Sequence, residues 1–174
     1  MKGRCYFSLF DIEPDFSLNL DDLSQRYLHR AKQVHPDCFI GAPDTEKRRA
    51  LEQSAQLNDA YNTLKNSASR AYYMLTFQGK LLPKEQTIQD PEFLIQQIEW
   101  RDELETLVEE KSIDTLNVFK RRMYKTIENI EQEFSKCWDS SEHRVRAERL
   151  MRRLQFLDKL LADVRHVEEQ IDDY

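Results

Sequence analysis

Glycine and proline are scarce in this chain of 174 residues, which contains only 3 Gly and 5 Pro. Together they make up less than 5% of the residues, whereas an average protein has roughly 12%. A β-sandwich or barrel needs a turn about every 8–12 residues, and three glycines are too few for so many turns. Gly3, Gly41 and Gly79 are also far apart, which excludes a glycine-rich phosphate-binding loop. The chain is therefore predicted to be all-α.

Size, hydrophobicity and cysteine content narrow the class of protein further. With 40% apolar residues the chain can build a core, and 33% charged residues are typical of long helices with solvated faces. No apolar run approaches the roughly 18 residues of a membrane span, and residues 1–6 lack the apolar core of a signal peptide. The number of cysteines is odd, and no two of them form a C-x-x-C pair. A disulfide framework is therefore disfavoured, which indicates a reducing compartment. We expect a cytoplasmic protein, and the lack of an import presequence favours a bacterial one.

The net charge of −6 is unevenly distributed along the chain. Residues 1–77 carry 10 Lys or Arg and 10 Asp or Glu and are neutral, whereas residues 78–174 carry 16 Lys or Arg and 22 Asp or Glu and hold the whole net charge. The short basic runs at residues 120–122 and 152–153 lie among many glutamates and are interpreted as solvated mixed-charge faces. An acidic chain without a basic face is a poor candidate for binding nucleic acid.

Apolar spacing predicts a hairpin of two long helices within residues 1–77. A short helix is predicted over Tyr6–Phe10, and Asn19 is placed to cap the first long helix. The apolar face of that helix has spacings of 3, 4, 4 and 3 and consists of Leu20, Leu23, Tyr27, Ala31 and Val34. Its opposite face carries Arg26, His29, Arg30, Lys32 and Gln33.

Pro36 is expected to end this helix near His35, because proline disfavours the α conformation in the residue before it. Residues 38–44 are predicted to form a loop, with Asp44 or Thr45 capping the next helix. The buried face of that helix is predicted to contain Ala50, Ser54, Leu57, Tyr61 and Leu64. Two such helices joined by a short loop should pack antiparallel, and a further short helix is predicted over Ala68–Phe77.

Residues 78–90 are predicted to be a linker, and residues 91–174 to be a three-helix bundle. Asp90 and Pro91 place an N-cap before a proline at the first helical position, and this helix should run to about Glu110. The second helix should begin near Ser112, and the third at the capping-box-like segment Asp139–Glu142. The predicted core stripe of the first bundle helix is Phe93, Trp100, Leu104 and Leu107. That of the second is Leu116, Phe119, Met123, Ile127, Ile130, Phe134 and Cys137. That of the third is Leu150, Leu154, Leu157, Leu161, Val164 and Ile171.

The most distinctive motif is His35-Pro36-Asp37, which follows the basic helix and opens the hairpin loop. With the opening segment Tyr6–Phe10 and the segment Leu57–Leu64 on the second helix, it resembles the J-domain of DnaJ-type co-chaperones. Residues Asp90–Leu94 and Phe156–Leu160, within a C-terminal three-helix bundle, are similar to the HscB family of iron–sulfur-cluster co-chaperones. The resemblance covers nearly the whole chain and implies an L-shaped, two-domain molecule.

The J-domain resemblance implies that the turn docks on an ATP-bound chaperone of the DnaK/HscA type and accelerates hydrolysis there. It assigns docking to His35, Pro36 and Asp37, with electrostatic support from Arg26, Arg30 and Lys32. Physically, a cationic helix face steers association with an acidic partner, and a proline-stiffened turn docks at little ordering cost. The chemistry belongs to the partner, so we expect no enzyme, cofactor or metal site here. The sequence departs from the J-domain pattern at Cys38, where the family usually has a basic residue.

The motif has three other interpretations. The tripeptide could be an ordinary turn that ends a helix. His35 and Asp37 could form a hydrolytic dyad with Cys38 as nucleophile, but neighbouring residues of one loop seldom converge on a substrate, and no oxyanion-stabilising feature accompanies them. A metal site on His35 and Cys38 lacks further ligands.

The first bundle helix has more apolar residues than one core stripe requires. Leu94, Ile95 and Ile98 are rotated away from that stripe, and Phe156 similarly lies one position before a core leucine. Acidic Glu99, Asp102 and Glu103 accompany them. Periodicity alone leaves two interpretations open, a wide core face or an exposed protein-binding patch with an acidic rim.

The HscB resemblance favours the exposed protein-binding patch, because in that family the matching surface holds an IscU-type scaffold protein. It assigns scaffold binding to Leu94, Ile95, Ile98, Glu99, Asp102 and Phe156. We therefore expect a monomeric co-chaperone that binds a scaffold protein and a chaperone ATPase, and neither nucleic acid nor membrane. The alternative is a generic J-protein whose C-terminal bundle is an oligomerisation module.

Overall fold

The computed structural model describes residues 5–81 and 89–172, and over these residues it contains helices and no strands. Two one-turn 3₁₀ helices span Phe7–Phe10 and Pro36–Phe39. Six α-helices are α1 Leu20–Gln33, α2 Asp44–Lys65, α3 Ser67–Phe77, α4 Pro91–Glu110, α5 Ile113–Ser135 and α6 Arg144–Asp172. The all-α prediction is confirmed. In the part of the chain described, none of these helices combines the length and apolar character needed to cross a membrane.

The chain divides into two compact units, Met1–Tyr73 and Met74–Tyr174. This division lies inside α3, four positions before the expected end of the first domain at residue 77. Tyr73 belongs to the first unit because its ring stacks on Tyr6 with 4.5 Å between centroids, and its hydroxyl accepts a hydrogen bond from the Tyr6 N–H. Most of the expected linker 78–90, including Pro83, lies outside the described residues.

The first unit is built around the antiparallel pair α1 and α2. Two side-chain contacts show the antiparallel direction. The Ser24 hydroxyl is 2.9 Å from the Tyr61 hydroxyl. One turn further along α1, Tyr27 donates to Asn58, which lies about one turn before Tyr61 on α2. Asn19 caps α1 as predicted, because its side chain accepts from the N–H groups of Asp21 and Asp22 at 3.0 Å. The core of this unit includes Phe7, Phe10, Phe16, Leu23, Ala60, Leu64, Ala68 and Ala71.

Two local predictions in the first unit were wrong. The expected loop over residues 38–44 begins as the 3₁₀ helix Pro36–Phe39, because Pro36 starts a new helical turn as well as ending α1. Neither Asp44 nor Thr45 is the N-cap of α2. Pro43 takes that position without a side-chain hydrogen bond, and Asp44 is the first helical residue.

The second unit is the predicted bundle of α4, α5 and α6. The α4 stripe is buried at all four positions, and the α5 and α6 stripes are buried except for Ile127 and Ile171, which are half-buried. Ser112 caps α5 through the Thr115 N–H. The predicted start of α6 is too early, because residues 139–143 are not helical and the helix begins at Arg144.

The end of α3 is closed by Gly79, which has φ +65°. The Lys80 N–H donates to the Leu75 carbonyl and the Gly79 N–H to the Thr76 carbonyl, which is the Schellman pattern that favours glycine. Beyond it, Arg144 donates to the carbonyls of Lys80 and Leu81. The first residues of the expected linker are therefore fastened to the start of α6.

Candidate functional site

The His35-Pro36-Asp37 turn is held by local hydrogen bonds and presents the side chains of His35 and Asp37 to solvent. His35 Nδ1 accepts the N–H of Asp37 at 3.3 Å, and the Cys38 N–H donates to the His35 carbonyl at 2.9 Å. The side chains of His35 and Asp37 are 59% and 79% exposed. His35 Nδ1 also lies 3.3 Å from an oxygen of the Asp37 carboxylate, so the two exposed side chains lie close together.

The cations of α1 differ in their surroundings. The Nε of Arg26 donates to Asp22 at 2.9 Å, and its Nη1 donates to the carbonyls of Phe10 and Asp11 at 3.1 and 3.0 Å. Arg30 is paired with the Asp11 carboxylate. Arg26 and Arg30 therefore fasten the first 3₁₀ helix to α1 as well as contributing positive charge.

Lys32 and Cys38 complete the surroundings of the turn. Lys32 is exposed, and its carbonyl accepts a weak hydrogen bond from the Cys38 thiol at 3.4 Å. The thiol is directed to this backbone oxygen and not to the imidazole of His35, which does not support the hydrolytic dyad. Among the described residues, no group of three or more His, Cys, Asp or Glu side chains is arranged to hold a metal ion.

The second candidate site is the outward face of α4. Leu94, Ile95 and Ile98 are 57%, 59% and 54% exposed, and Glu99 and Asp102 beside them are exposed as well. The opposite face of the same helix supplies its buried stripe to the core. Leu94, Ile95 and Ile98 are therefore exposed residues of this unit and do not widen its core face.

Phe156 differs from the other members of the predicted patch because it is half-buried. Its ring meets Phe93 edge-on at 5.6 Å and stacks on Trp100 at 6.2 Å between centroids. The guanidinium of Arg101 lies 5.6 Å from its centroid. Phe156 thus joins α6 to α4 and presents only part of its ring. Periodicity could not reveal this arginine–aromatic contact, because it depends on how α6 packs against α4.

The start of α4 is fixed by an ion pair that the sequence reasoning missed. Asp90 occupies the N-cap position but makes no capping hydrogen bond; instead its carboxylate accepts two hydrogen bonds of 2.8 Å from Arg153. These bonds lower the pKa of Asp90 below its usual range, and the nearby charge of Arg149 acts in the same direction. The guanidinium of Arg153 also lies 4.9 Å from the centroid of Phe93.

Comparison with known proteins identifies the family of the chain. The family model described as the HSCB C-terminal oligomerisation domain matches residues 89–165. The chaperone HscB from Vibrio cholerae is 33% identical, with a TM-score of 0.78 over 95% of this chain and 98% of its own. The human co-chaperone protein HscB has the same fold, with 24% identity and a TM-score of 0.82 over 95% of this chain and 83% of its own. This chain therefore belongs to the HscB family, the co-chaperones of iron–sulfur cluster assembly.

Proposed function

We propose that this protein binds an IscU-type scaffold protein with its second unit, delivers it to a DnaK/HscA-type chaperone in the bacterial cytoplasm and stimulates the ATPase of that chaperone. The observation that carries the proposal is the presence, in one chain, of two different exposed surfaces on two compact units. One is the His35-Pro36-Asp37 turn, and the other is the apolar face of α4.

The turn supports a role in docking on the chaperone. Its local hydrogen bonds, one to the His35 side chain and one to the His35 carbonyl, and Pro36 fix its conformation before binding, so little conformational entropy is lost on association. The exposed cation Lys32 and the partly exposed Arg30 would raise the association rate with an acidic partner surface. Stimulation then follows if the turn binds one conformation of the ATPase more tightly than the other.

The face of α4 supports a role in holding the scaffold protein. Leu94, Ile95 and Ile98 are the apolar anchors, and the exposed part of Phe156 extends them onto α6. Anchors of this kind supply most of the affinity of a protein interface, while a polar rim excludes water and sets specificity. Glu99 and Asp102 form such a rim on one side.

The test is the steady-state ATPase of a DnaK/HscA-type chaperone with this protein alone, with the scaffold protein alone and with both. We expect stimulation by this protein and a larger stimulation when the scaffold is also present. A turnover rate that does not change on adding the protein, alone or with scaffold, would refute the proposal.

A second candidate function has its own support. The matching family domain is described as an oligomerisation domain, and three exposed apolar residues on one helix are also suited to pairing with a second copy. We propose that the protein is a monomer, and light scattering without scaffold separates the two cases. A stable dimer that Leu94→Ala dissociates would favour the oligomerisation module.

A further inference from the structure

A cleft of about 420 Å³ opens at the N-terminal end of α4, next to the exposed Leu94. Its apolar wall comes from the first turn of the helix, with Pro91, Phe93 and Leu94. Its other wall comes from α6 and is cationic, with Arg149, Arg152 and Arg153. A concave apolar site with a few fixed polar groups is the usual form of a specific binding site.

The three arginines of this cleft differ in how their charges are balanced. Arg153 is paired with Asp90 at 2.8 Å, and Arg152 is paired with Glu148 at 2.7 Å. Arg149 makes neither a hydrogen bond nor an ion pair with any residue in the described part of the chain, and its Nε is enclosed by protein. The charge of Arg149 acts on the nearby Asp90 carboxylate, but both oxygens of that carboxylate accept hydrogen bonds from Arg153. A carboxylate from a partner on the remaining N–H groups of Arg149 would therefore be favourable.

The cleft is continuous with the apolar patch through Leu94, which belongs to both. Along α4, the order is the cationic cleft, then Leu94, Ile95 and Ile98, then the acidic Glu99 and Asp102. At 1.5 Å per residue, the positions from Pro91 to Asp102 span about 16 Å. The apolar centre thus lies between the arginines that α6 contributes to the cleft and the acidic Glu99 and Asp102 of α4.

We propose that the cleft binds an aspartate or glutamate side chain of the scaffold protein, with the carboxylate on Arg149 and the adjoining apolar atoms against Phe93 and Leu94. This inference rests on the proposed function, because it places the scaffold protein on the α4 face. A planar guanidinium matches a carboxylate in a forked geometry. The apolar wall favours a carboxylate carried by a protein over a small, strongly hydrated anion. Together with Glu99 and Asp102, Arg149 would fix the orientation of the scaffold protein on the α4 face.

The experiment is isothermal titration of the IscU-type scaffold protein into the full chain at 50 mM and 300 mM salt. Arg149→Gln should weaken binding about tenfold at the lower salt concentration, because a charge-assisted contact is lost. The effect should be smaller at the higher salt concentration, because the charges are screened there. Arg149→Lys keeps the positive charge but lacks the forked guanidinium, so its affinity for the scaffold protein should lie between those of Arg149→Gln and the wild type. Arg165→Gln removes the same charge from an exposed position of α6 and should bind as the wild type does.

A spectroscopic readout distinguishes direct contact from a structural effect. In the wild-type protein, the ¹H–¹⁵N signal of Arg149 Nε should shift when the scaffold protein is added, whereas that of Arg165 should not. If Arg149→Gln and Arg149→Lys bind as tightly as the wild type while Leu94→Ala binds weakly, the cleft assignment is wrong and the proposed function stands. If Leu94→Ala also binds as tightly as the wild type, neither the cleft nor the α4 patch is the scaffold-binding surface. If Arg149→Gln changes only the self-association of the chain, the occupant is a second copy and the proposal is overturned.

Discussion

Arg153 and Asp90 are 63 positions apart in the sequence, and they form a bidentate ion pair with two hydrogen bonds of 2.8 Å. The pair fastens the first turn of α4 to the middle of α6. Its two side chains are only 28% and 18% exposed, and the guanidinium also covers the Phe93 ring. Removing one member would leave the other charge poorly solvated, so the pair has a measurable role in holding α4 in place.

Asp90→Asn should lower the free energy of unfolding by about 1 kcal/mol at pH 7. The hydrogen bonds from Arg153 lower the pKa of Asp90, so the stabilisation is fully present above the ordinary carboxyl pKa and is lost as the pH falls through the lowered one. Urea unfolding should therefore show a larger difference between variant and wild type at pH 7 than at about pH 2.5. Glu128→Gln, an exposed carboxylate of α5, is the control. An equal loss at both pH values would contradict the ion-pair explanation.

His35→Gln should abolish stimulation of the chaperone ATPase without unfolding the protein. The side chain is exposed, so we expect a change in stability within about 0.5 kcal/mol. The measurement is the ATPase rate over a range of co-chaperone concentrations, accompanied by circular dichroism. His166→Gln replaces an exposed histidine of α6 and should stimulate normally. Equal stimulation by His35→Gln and the wild type would exclude the turn as the docking site.

Arg26→Ala and Lys32→Ala should have different consequences although both remove a cation from α1. Arg26 donates to the carbonyls of Phe10 and Asp11, so its loss should destabilise the first unit by about 1 kcal/mol. Lys32 is exposed, and its loss should weaken stimulation at low salt with little change in stability. Thermal unfolding and ATPase assays at two salt concentrations distinguish them. Identical unfolding curves for the two variants would disprove the structural role of Arg26.

Asp11→Asn should increase the apparent affinity for the chaperone. The Asp11 carboxylate pairs with Arg30 and thereby competes with acidic groups of a docking partner. Asparagine tolerates the left-handed conformation at this position, where φ is +53°. We expect the concentration for half-maximal stimulation to fall about two- to threefold at low salt, and the difference to vanish at high salt.

Asp59→Asn is the matched control for this experiment, because it removes the same charge from an exposed position of α2. If it lowers the half-maximal concentration as much as Asp11→Asn does, the effect comes from net charge and not from the release of Arg30.

Leu94→Ala and Ile98→Ala should each weaken scaffold binding about 5- to 30-fold, the usual cost of truncating an interface anchor. Both side chains are more than half exposed, so the variants should keep wild-type stability. Val118→Ala shortens a side chain that is 62% exposed on α5 and should leave binding unchanged. Calorimetric titration with the scaffold protein gives the affinities. Unchanged affinity in both α4 variants would remove the patch from the interface.

Phe156→Ala should differ from those variants because it affects both folding and binding. Its ring packs against Phe93 and Trp100, so truncation should lower the free energy of unfolding by about 1–3 kcal/mol as well as weaken scaffold binding. Urea unfolding and calorimetric titration of the same preparation measure the two effects. Wild-type stability in this variant would contradict the packing role.

Much of the fold could be predicted because the relevant signals are local. The caps Asn19 and Ser112 and the start of α4 at Pro91 follow from residues within one turn of each other. The predictions that failed, the N-cap of α2 and the start of α6, depended on choosing among several adjacent cap-forming residues. The neighbouring turns decided that choice, as they did for the 3₁₀ helix that starts at Pro36.

The residues of both candidate sites could be identified from the sequence, since the His35-Pro36-Asp37 motif and the surplus apolar residues of α4 are visible as patterns. Their surroundings could not, because they depend on how the helices pack. Packing brings Asp11 to Arg30, Asp90 to Arg153 and Phe156 to Trp100. Helical periodicity specifies only which face of a helix is buried. A charge or an aromatic ring finds its partner only when residues far apart in the chain pack together.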